Sequence, residues 1–274
     1  MLKIISWNIN GLQSSLKQGL VDKLSSFDGD IVCLQETKTE KTNLNQFDKL
    51  SEKYSYYASF SKRKGYAGVA ILSRFIPIKV MHGFGISKID EEARVLAMEF
   101  HDFFIVNIYA PNAQLGLARL PYRNEWDALL FSLITELHVR KPIILCGDFN
   151  VAHRENDVGS NYINSNFPGC SKLERDNFDK LLSLGFTDVL RVCESTEKLA
   201  TWWPYTAPNR GESQGLRFDY ILASGCLTDK LIKSEILRDI FGSDHCPILA
   251  EFELDFSKEN IFQPETKQVQ CRLL

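Results

Sequence analysis

The run Pro142-Ile143-Ile144-Leu145-Cys146 ends abruptly in a polar cluster, Gly147-Asp148-Phe149-Asn150. A continuous stretch of aliphatic and β-branched residues has to be covered on both faces, so it specifies a buried β-strand. Asp148 and Asn150 stand two apart just beyond it, which in extended chain places both side chains on one side. Gly147 is expected to let the backbone bend sharply between strand and loop. A rigid sheet would thus present a carboxylate and an amide together at its rim.

The arrangement recurs. Ile4-Ile5-Ser6-Trp7 leads into Asn8-Ile9-Asn10-Gly11, Ile31-Val32-Cys33-Leu34 into Gln35-Glu36-Thr37-Lys38, and Phe104-Ile105-Val106 into Asn107, Tyr109 and Asn112. Arg217 to Leu222 carries Asp219 inside an apolar segment, and Gly242-Ser243-Asp244-His245 precedes the apolar Pro247 to Ala250. One strand ending in Asp or Asn is ordinary turn chemistry. The recurrence points instead to one shared site.

Helical periodicity alternates with these strands. Leu16, Leu20, Leu24 and Phe27 predict a helix over residues 12–27, Trp126 to Leu137 an apolar stripe on a helix over 120–139, and Phe178, Leu181 and Leu182 a third over 173–184 with Gly185 at its C-cap. Residues 94–109 read as a hairpin turning at Asp102. With no Pro/Gly/Ser-rich linker, residues 1–254 are expected to form one catalytic domain, two packed mixed sheets with helices outside. Residues 255–274 lose periodicity and are expected to be a poorly packed tail.

Composition excludes more than it selects. Seven scattered cysteines make no disulfide framework and show no CxxC spacing, so reduced thiols, with Cys33 and Cys146 as small buried hydrophobes, are the simpler account. The N-terminus shows no basic segment followed by an apolar one, and no apolar run is long enough to span a bilayer. The expected compartment is therefore intracellular: cytoplasmic in a bacterium or archaeon, nuclear in a eukaryote. A net charge of −3 argues against a broadly basic nucleic-acid binder but permits a local basic face.

Glu36, Asp148, Asp219 and Asp244, with Asn8 and Asn150, form an oxygen-rich donor set. Hard oxygen ligands select Mg²⁺, with Mn²⁺ as a substitute, over zinc or copper. Clustered carboxylates also need a cation between them. His245, next to Asp244, completes the parts for metal-assisted attack of water on a phosphodiester. His82, His101, His138 and His153 read as ordinary partnered histidines.

Six motifs occur in order: Trp7-Asn8-Ile9-Asn10-Gly11, Leu34-Gln35-Glu36-Thr37-Lys38, Gly147 to His153, Thr201-Trp202-Trp203, Arg217-Phe218-Asp219-Tyr220, and Gly242 to Pro247. Together they resemble exonuclease III and the Mg²⁺-dependent abasic-site endonucleases of base excision repair, from about Leu2 to Leu254. The resemblance implies a four-layer α/β sandwich. It also implies Glu36 as a Mg²⁺ ligand assisted by Asn8, with Asn10 and Asp244 near the metal. Asp148 would orient or deprotonate the water, with Asn150 fixing it, and both belong to the implied metal set. His245, held by Asp219, would contact the scissile phosphate and border the metal. Tyr109 would offer its phenol to the phosphate and Asn112 an amide. Spacing leaves the identity of the general base open.

The implied DNA contacts are Lys64, Gly65 and Tyr66 in a basic loop, Lys38, Arg94, Asn164, and Trp202 at the wall of a pocket for an extrahelical sugar. Relatives read Gly-Trp-Arg where this chain has Gly215-Leu216-Arg217, so Leu216 is expected to leave a smaller apolar wall. Phe167, Cys170 and Leu115 also depart from the pattern. The reading is a monomeric nuclease acting on double-stranded DNA with abasic sites or blocked 3′ ends, with no membrane partner. The rivals are a phosphatase of inositol phosphates, lipids or RNA tails, a relative specialised for 3′ ends, and a catalytically silent DNA-binding scaffold.

Overall fold

A computed structural model describes residues 1–40, 48, 53–163, 166–194, 198–207, 210–211 and 214–263. The strands are β1 (Leu2–Asn8), β2 (Ile31–Gln35), β3 (Ser55–Ser59), β4 (Val69–Ser73), β5 (Phe75–Ile76), β6 (Lys79–His82), β7 (Val95–Glu99), β8 (Phe104–Tyr109), β9 (Ile143–Asp148), β10 (Phe186–Asp188), β11 (Asp219–Ser224), β12 (Leu231–Ile236), β13 (Ile248–Phe252) and β14 (Asn260–Ile261). They form two six-stranded sheets, ordered β12-β13-β1-β2-β4-β3 and β10-β11-β9-β8-β7-β6. In each sheet the two central strands run parallel, β1 with β2 and β9 with β8, and the flanking pairs are antiparallel.

Strand periodicity divides the apolar residues among layers. Leu2, Ile4, Ile31 and Cys33 face Met98, Ile105, Ile144 and Cys146 between the sheets. Ile5, Trp7, Val32 and Leu34 face outward onto α1 (Leu12–Lys17) and α2 (Leu20–Phe27). Phe104, Val106, Ile143 and Leu145 face outward in the other sheet, where α4 (Leu120–Arg140) contributes Trp126, Leu130 and Ile134 and α5 (Lys172–Ser183) contributes Phe178 and Leu181. The remaining early helix, α3, is the short turn Ser87–Asp90. The expected mixed α/β architecture of two sheets flanked by helices is therefore the observed one.

Three local expectations give way. The single helix over 12–27 is two, because Gly19 takes φ 80° between them and redirects the chain. Gly147 makes no bend; it lies inside β9, where a Cβ would come within 1.9 Å of the Ile108 carbonyl oxygen. Glycine is required there for close approach of β8. The tail is also packed as far as described: Phe256 stacks on Phe75 with ring centroids 4.7 Å apart, Phe262 is buried, and β14 pairs with β5.

Candidate active site

The C-terminal ends of β1 and β9 carry the same turn. The Asn10 backbone N–H donates to Asn8 Oδ1 at 3.0 Å, and the Asn150 N–H donates to Asp148 Oδ1 at 2.8 Å. Asn10 (φ 47°) and Asn150 (φ 48°) both sit in the left-handed region, which asparagine tolerates well. Asp148 and Asn150 thus meet through a tight turn, not through the alternation of an extended segment. The two turns face one another, and Asn8 Nδ2–H donates to Asp148 Oδ2 at 2.9 Å.

Asp148 is buried, and its pKa is pushed up to about 7, by burial first; the nearby His245 charge pulls it down and the Asp219 carboxylate adds to the rise. His245 Nδ1 lies 2.8 Å from Asp219 Oδ2, and its Nε2 lies 3.8 Å from Asp148 Oδ2. Burial disfavours the imidazolium, yet Asp219, through charge and hydrogen bond, outweighs it and pushes the His245 pKa up to about 10. The loop before β13 is tied back to β1. Ser243 Oγ–H donates to the Asn8 carbonyl at 2.7 Å, and Trp7 Nε1–H donates to the His245 carbonyl at 3.2 Å.

Glu36 and Lys38 also adopt left-handed backbone, at φ 55° and 51°, which is strained for such side chains. The segment is held from both sides. Gly11 and Leu12 N–H groups donate to the Glu36 and Thr37 carbonyls at 2.8 Å each, and Thr37 and Lys38 N–H groups donate to Gly68 and Ala67 at 3.1 and 2.9 Å. Lys38 Nζ lies 2.9 Å from Glu36 Oε1 and also donates to Asn10 Oδ1. Asn10 in turn donates to Asp244 Oδ1 at 2.9 Å and to the Tyr205 hydroxyl at 2.6 Å.

These groups line one cavity of about 240 Å³, bounded by Asn10, Glu36, Lys38, Tyr109, Asn112 and Asp148 on one side and Phe167, Trp202 and Phe218 on another. Asn150, Asp244 and His245 complete it. Trp202 stacks on Phe218 with centroids 5.5 Å apart, Phe167 follows at 6.0 Å, and Trp202 Nε1–H donates to Asp244 Oδ2 at 3.1 Å. Burial pushes the Tyr109 phenol up, Glu36 adds to the rise, and the Arg94 guanidinium 4.4 Å above its ring opposes it.

Several expected positions differ. Leu216 is fully buried behind the wall, packed with Ala152, Val158 and Phe218, so it does not shape the cavity; Phe167 and Phe218 do. Arg94 is 3% exposed and spends its donors on Glu92, Tyr66 and the Tyr109 carbonyl, so it supports Tyr66 and Tyr109 from beneath and offers nothing to a ligand. Lys64 is exposed and pairs loosely with Glu40 at 3.4 Å beside Gly65, while the Tyr66 hydroxyl accepts from Arg94 and Arg119. Asn164 lies outside the described residues. His82, His101, His138 and His153 each meet Ser59, Glu259, Ser224 or Asp179 within 3.1 Å.

The donor chemistry fits a hard divalent cation. Glu36 and Asp244 carboxylates open into the cavity with Asn10 between them. The Asn8 oxygen accepts from Asn10, the Asn150 oxygen accepts from Asn112 Nδ2–H at 2.9 Å, and both amide N–H groups donate to Asp148. Asp148, Asp219 and His245 bring donor atoms within 4.8 Å of one another. Within that trio His245 Nδ1 is committed to Asp219, and Asp148 and His245 line the same cavity as the Glu36 and Asp244 carboxylates. Sequence reasoning missed Tyr205 and the strained backbone of Glu36 and Lys38, for which no local signal exists.

A buried His–Asp pair and a second buried carboxylate sit beside the Glu36 and Asp244 carboxylates, between two sheets with flanking helices, a set of groups suited to the hydrolysis of phosphate esters. The model of the Endonuclease/Exonuclease/phosphatase family matches residues 5–245, and the chain belongs to that family. It is 41% identical to an exodeoxyribonuclease of Bacillus subtilis over 249 residues, covering 90% of this chain and 98% of that one. It is likewise 41% identical to the DNA repair nuclease APEX1 of Danio rerio over 250 residues, covering 90% and 81%. Among solved structures, an AP endonuclease from Archaeoglobus fulgidus superposes with a TM-score of 0.84 at 29% identity, covering 93% of this chain and all of that one. No described helix is long and apolar enough to cross a membrane.

Proposed function

We propose that the protein is a Mg²⁺-dependent DNA repair nuclease that hydrolyses the phosphodiester 5′ to an abasic site and leaves a 3′-hydroxyl, with 3′-end trimming by the same site. The observation that carries this reading is the Asp148–His245–Asp219 cluster opening into a cavity with the Glu36 carboxylate at one side and the Trp202, Phe218 and Phe167 rings at the other. The named activities of the relatives support the substrate class.

In this reading Glu36, with Asp244 and Asn10 beside it, holds the cation, which supplies positive charge to the phosphate when bound. Asp148, its oxygens fixed by Asn8 and Asn150, accepts a proton from the attacking water. The water oxygen bonds to phosphorus, the P–O3′ bond breaks with its electron pair going to O3′, and the departing 3′-oxygen takes a proton from solvent water to become a hydroxyl. His245, kept protonated by Asp219, donates a hydrogen bond to a non-bridging oxygen as negative charge develops. Tyr109 and Asn112 donate to the same phosphate. The aromatic wall takes the base-free sugar, which gives apolar surface but no base edge to read. Lys38, Lys64, Gly65 and Tyr66 meet the flanking backbone phosphates. The protein acts as a monomer inside the cell.

Two labelled duplexes test the reading, one with an internal abasic analogue and one with a recessed 3′-phosphate, each with Mg²⁺ or EDTA. Mg²⁺-dependent incision of the first is expected. Processing of the 3′-phosphate alone would reassign the enzyme to 3′-end cleaning, and activity on neither duplex would remove DNA as the substrate.

A further inference from the structure

We propose that Arg210 is a positioning residue: its guanidinium clamps the loop of residues 238–246 so that His245 stays aimed at Asp148. The inference rests on the hydrolytic reading above and deepens it. Between β12 and β13 the chain carries Asp244 and His245 outside the two sheets, paired with its neighbours by a single β-bridge between His245 and Trp202. Arg210 supplies donors where the sheets do not. Nη1–H groups donate to the carbonyls of Arg238 at 2.6 Å and Ile240 at 2.7 Å, and Nη2–H groups to those of Ser243 at 3.2 Å and His245 at 3.3 Å. Nη1 also lies 2.9 Å from Cys246 Sγ.

The guanidinium plane is held in turn by aromatic faces, 4.4 Å from the Phe241 ring centroid and 5.5 Å from that of Trp203. The Trp203 backbone N–H donates to the Asp244 carbonyl at 3.0 Å and the Cys246 backbone N–H to the Thr201 carbonyl at 2.7 Å. The aromatic wall and the histidine loop therefore form one unit, with Arg210 closing its outer side. A lysine cannot reproduce this contact, because one ammonium lacks the planar fork that spans four carbonyls. Arg210 is not among the residues lining the cavity, so it touches no reacting group. Its removal should loosen the aim of His245 and leave the DNA-facing surface in place.

The test uses Arg210→Ala and Arg210→Lys, assayed with Mg²⁺ on the abasic duplex, and amide hydrogen exchange measured without DNA. A displacement of the imidazole by about 1 Å predicts a fall in kcat of up to about 100-fold for Arg210→Ala, with KM within about twofold. Arg210→Lys should fall between, and millimolar methylguanidinium should restore part of the kcat of Arg210→Ala. Exchange should quicken over residues 238–246 and not over β9. Unchanged exchange at 238–246, or a kcat within about twofold of wild type, would overturn the proposal, as would a rise in KM alone. If Arg210→Ala fails to fold, the Lys variant decides by the same readouts. If the wild type cuts neither duplex, the nuclease reading fails, while the exchange data still decide the clamp.

Discussion

The two sheets follow one strand plan, with a parallel centre and antiparallel flanks, and their central strands β1 and β9 end in the same Asx turn. What differs is the residue at the crossing point, an amide at Asn8 and a carboxylate at Asp148. The β9 side thus carries the buried carboxylates, Asp148 at 1% and Asp219 at 0% exposure, while the buried His245 between them comes from the loop before β13 of the other sheet. The other sheet supplies the more open polar groups, Asn10, Glu36 and Lys38. The frame is repeated but the dielectric is not. The proposed division of labour rests on this difference, with a proton moved at the buried rim and a cation and phosphate held at the open one.

The largest effect should come from erasing that difference. Asp148→Asn makes both crossing points amides and should lower kcat by about 10³-fold or more, as loss of a general base does. Stability should not fall. Burial raises the pKa of Asp148 from 3.8 to about 7, so the carboxyl destabilises the fold progressively between those values and fully above about pH 7, and the variant should melt at an equal or higher temperature at pH 8. The converse change, Asn8→Asp, sets two carboxylates against each other and should lower the melting temperature. Calorimetry of both variants checks the signs, and a large loss of stability in Asp148→Asn would break the comparison.

Glu36→Gln should act on the other rim. Mn²⁺ affinity, measured by calorimetry without DNA, should drop by about 10- to 100-fold. Equal affinity would move the cation site to the Asp148–Asp219–His245 trio. A third experiment follows the imidazole by NMR in EDTA. His245 should keep its proton through neutral pH and lose it near 10; Asp219→Asn removes the groups' main attraction, so burial should carry the pKa downward. Because the folded value is raised, the stability lost on substitution should be fullest below the unfolded value of about 6.5 and vanish as pH rises through about 10.

Strand ends were legible because burial on both faces leaves an unbroken apolar run, and the polar residue that ends it marks the rim. The sheets, the long helix α4 and the meeting of Glu36, Asp148, Asp219, Asp244 and His245 in one place followed from that signal together with the motif resemblance. Side-chain depth did not follow. Arg94 matches a motif position and Leu216 replaces a motif tryptophan, yet one is buried beneath two tyrosines and the other behind Trp202, since a strand or bridge offers two faces and composition does not choose between them. The break at Gly19 was hidden because α2 restores the apolar stripe one turn later. The packing of Phe256 and Phe262 was hidden because isolated aromatics carry no period.

The smallest effect separates the rims most finely. The Lys64 side chain is 83% exposed and meets Glu40 in a surface ion pair at 3.4 Å, so the ammonium acts as a screened point charge. Lys64→Ala should leave kcat unchanged, weaken DNA binding by a few-fold at low salt, and reduce the slope of log affinity against log salt by about 1. Arg94→Ala should do the opposite. It strips a buried support from Tyr66 and Tyr109, so kcat should fall while the salt slope holds. A salt slope lowered equally by both would mean that Arg94 reaches the phosphates after all, and that the depth seen for it closes only until DNA arrives.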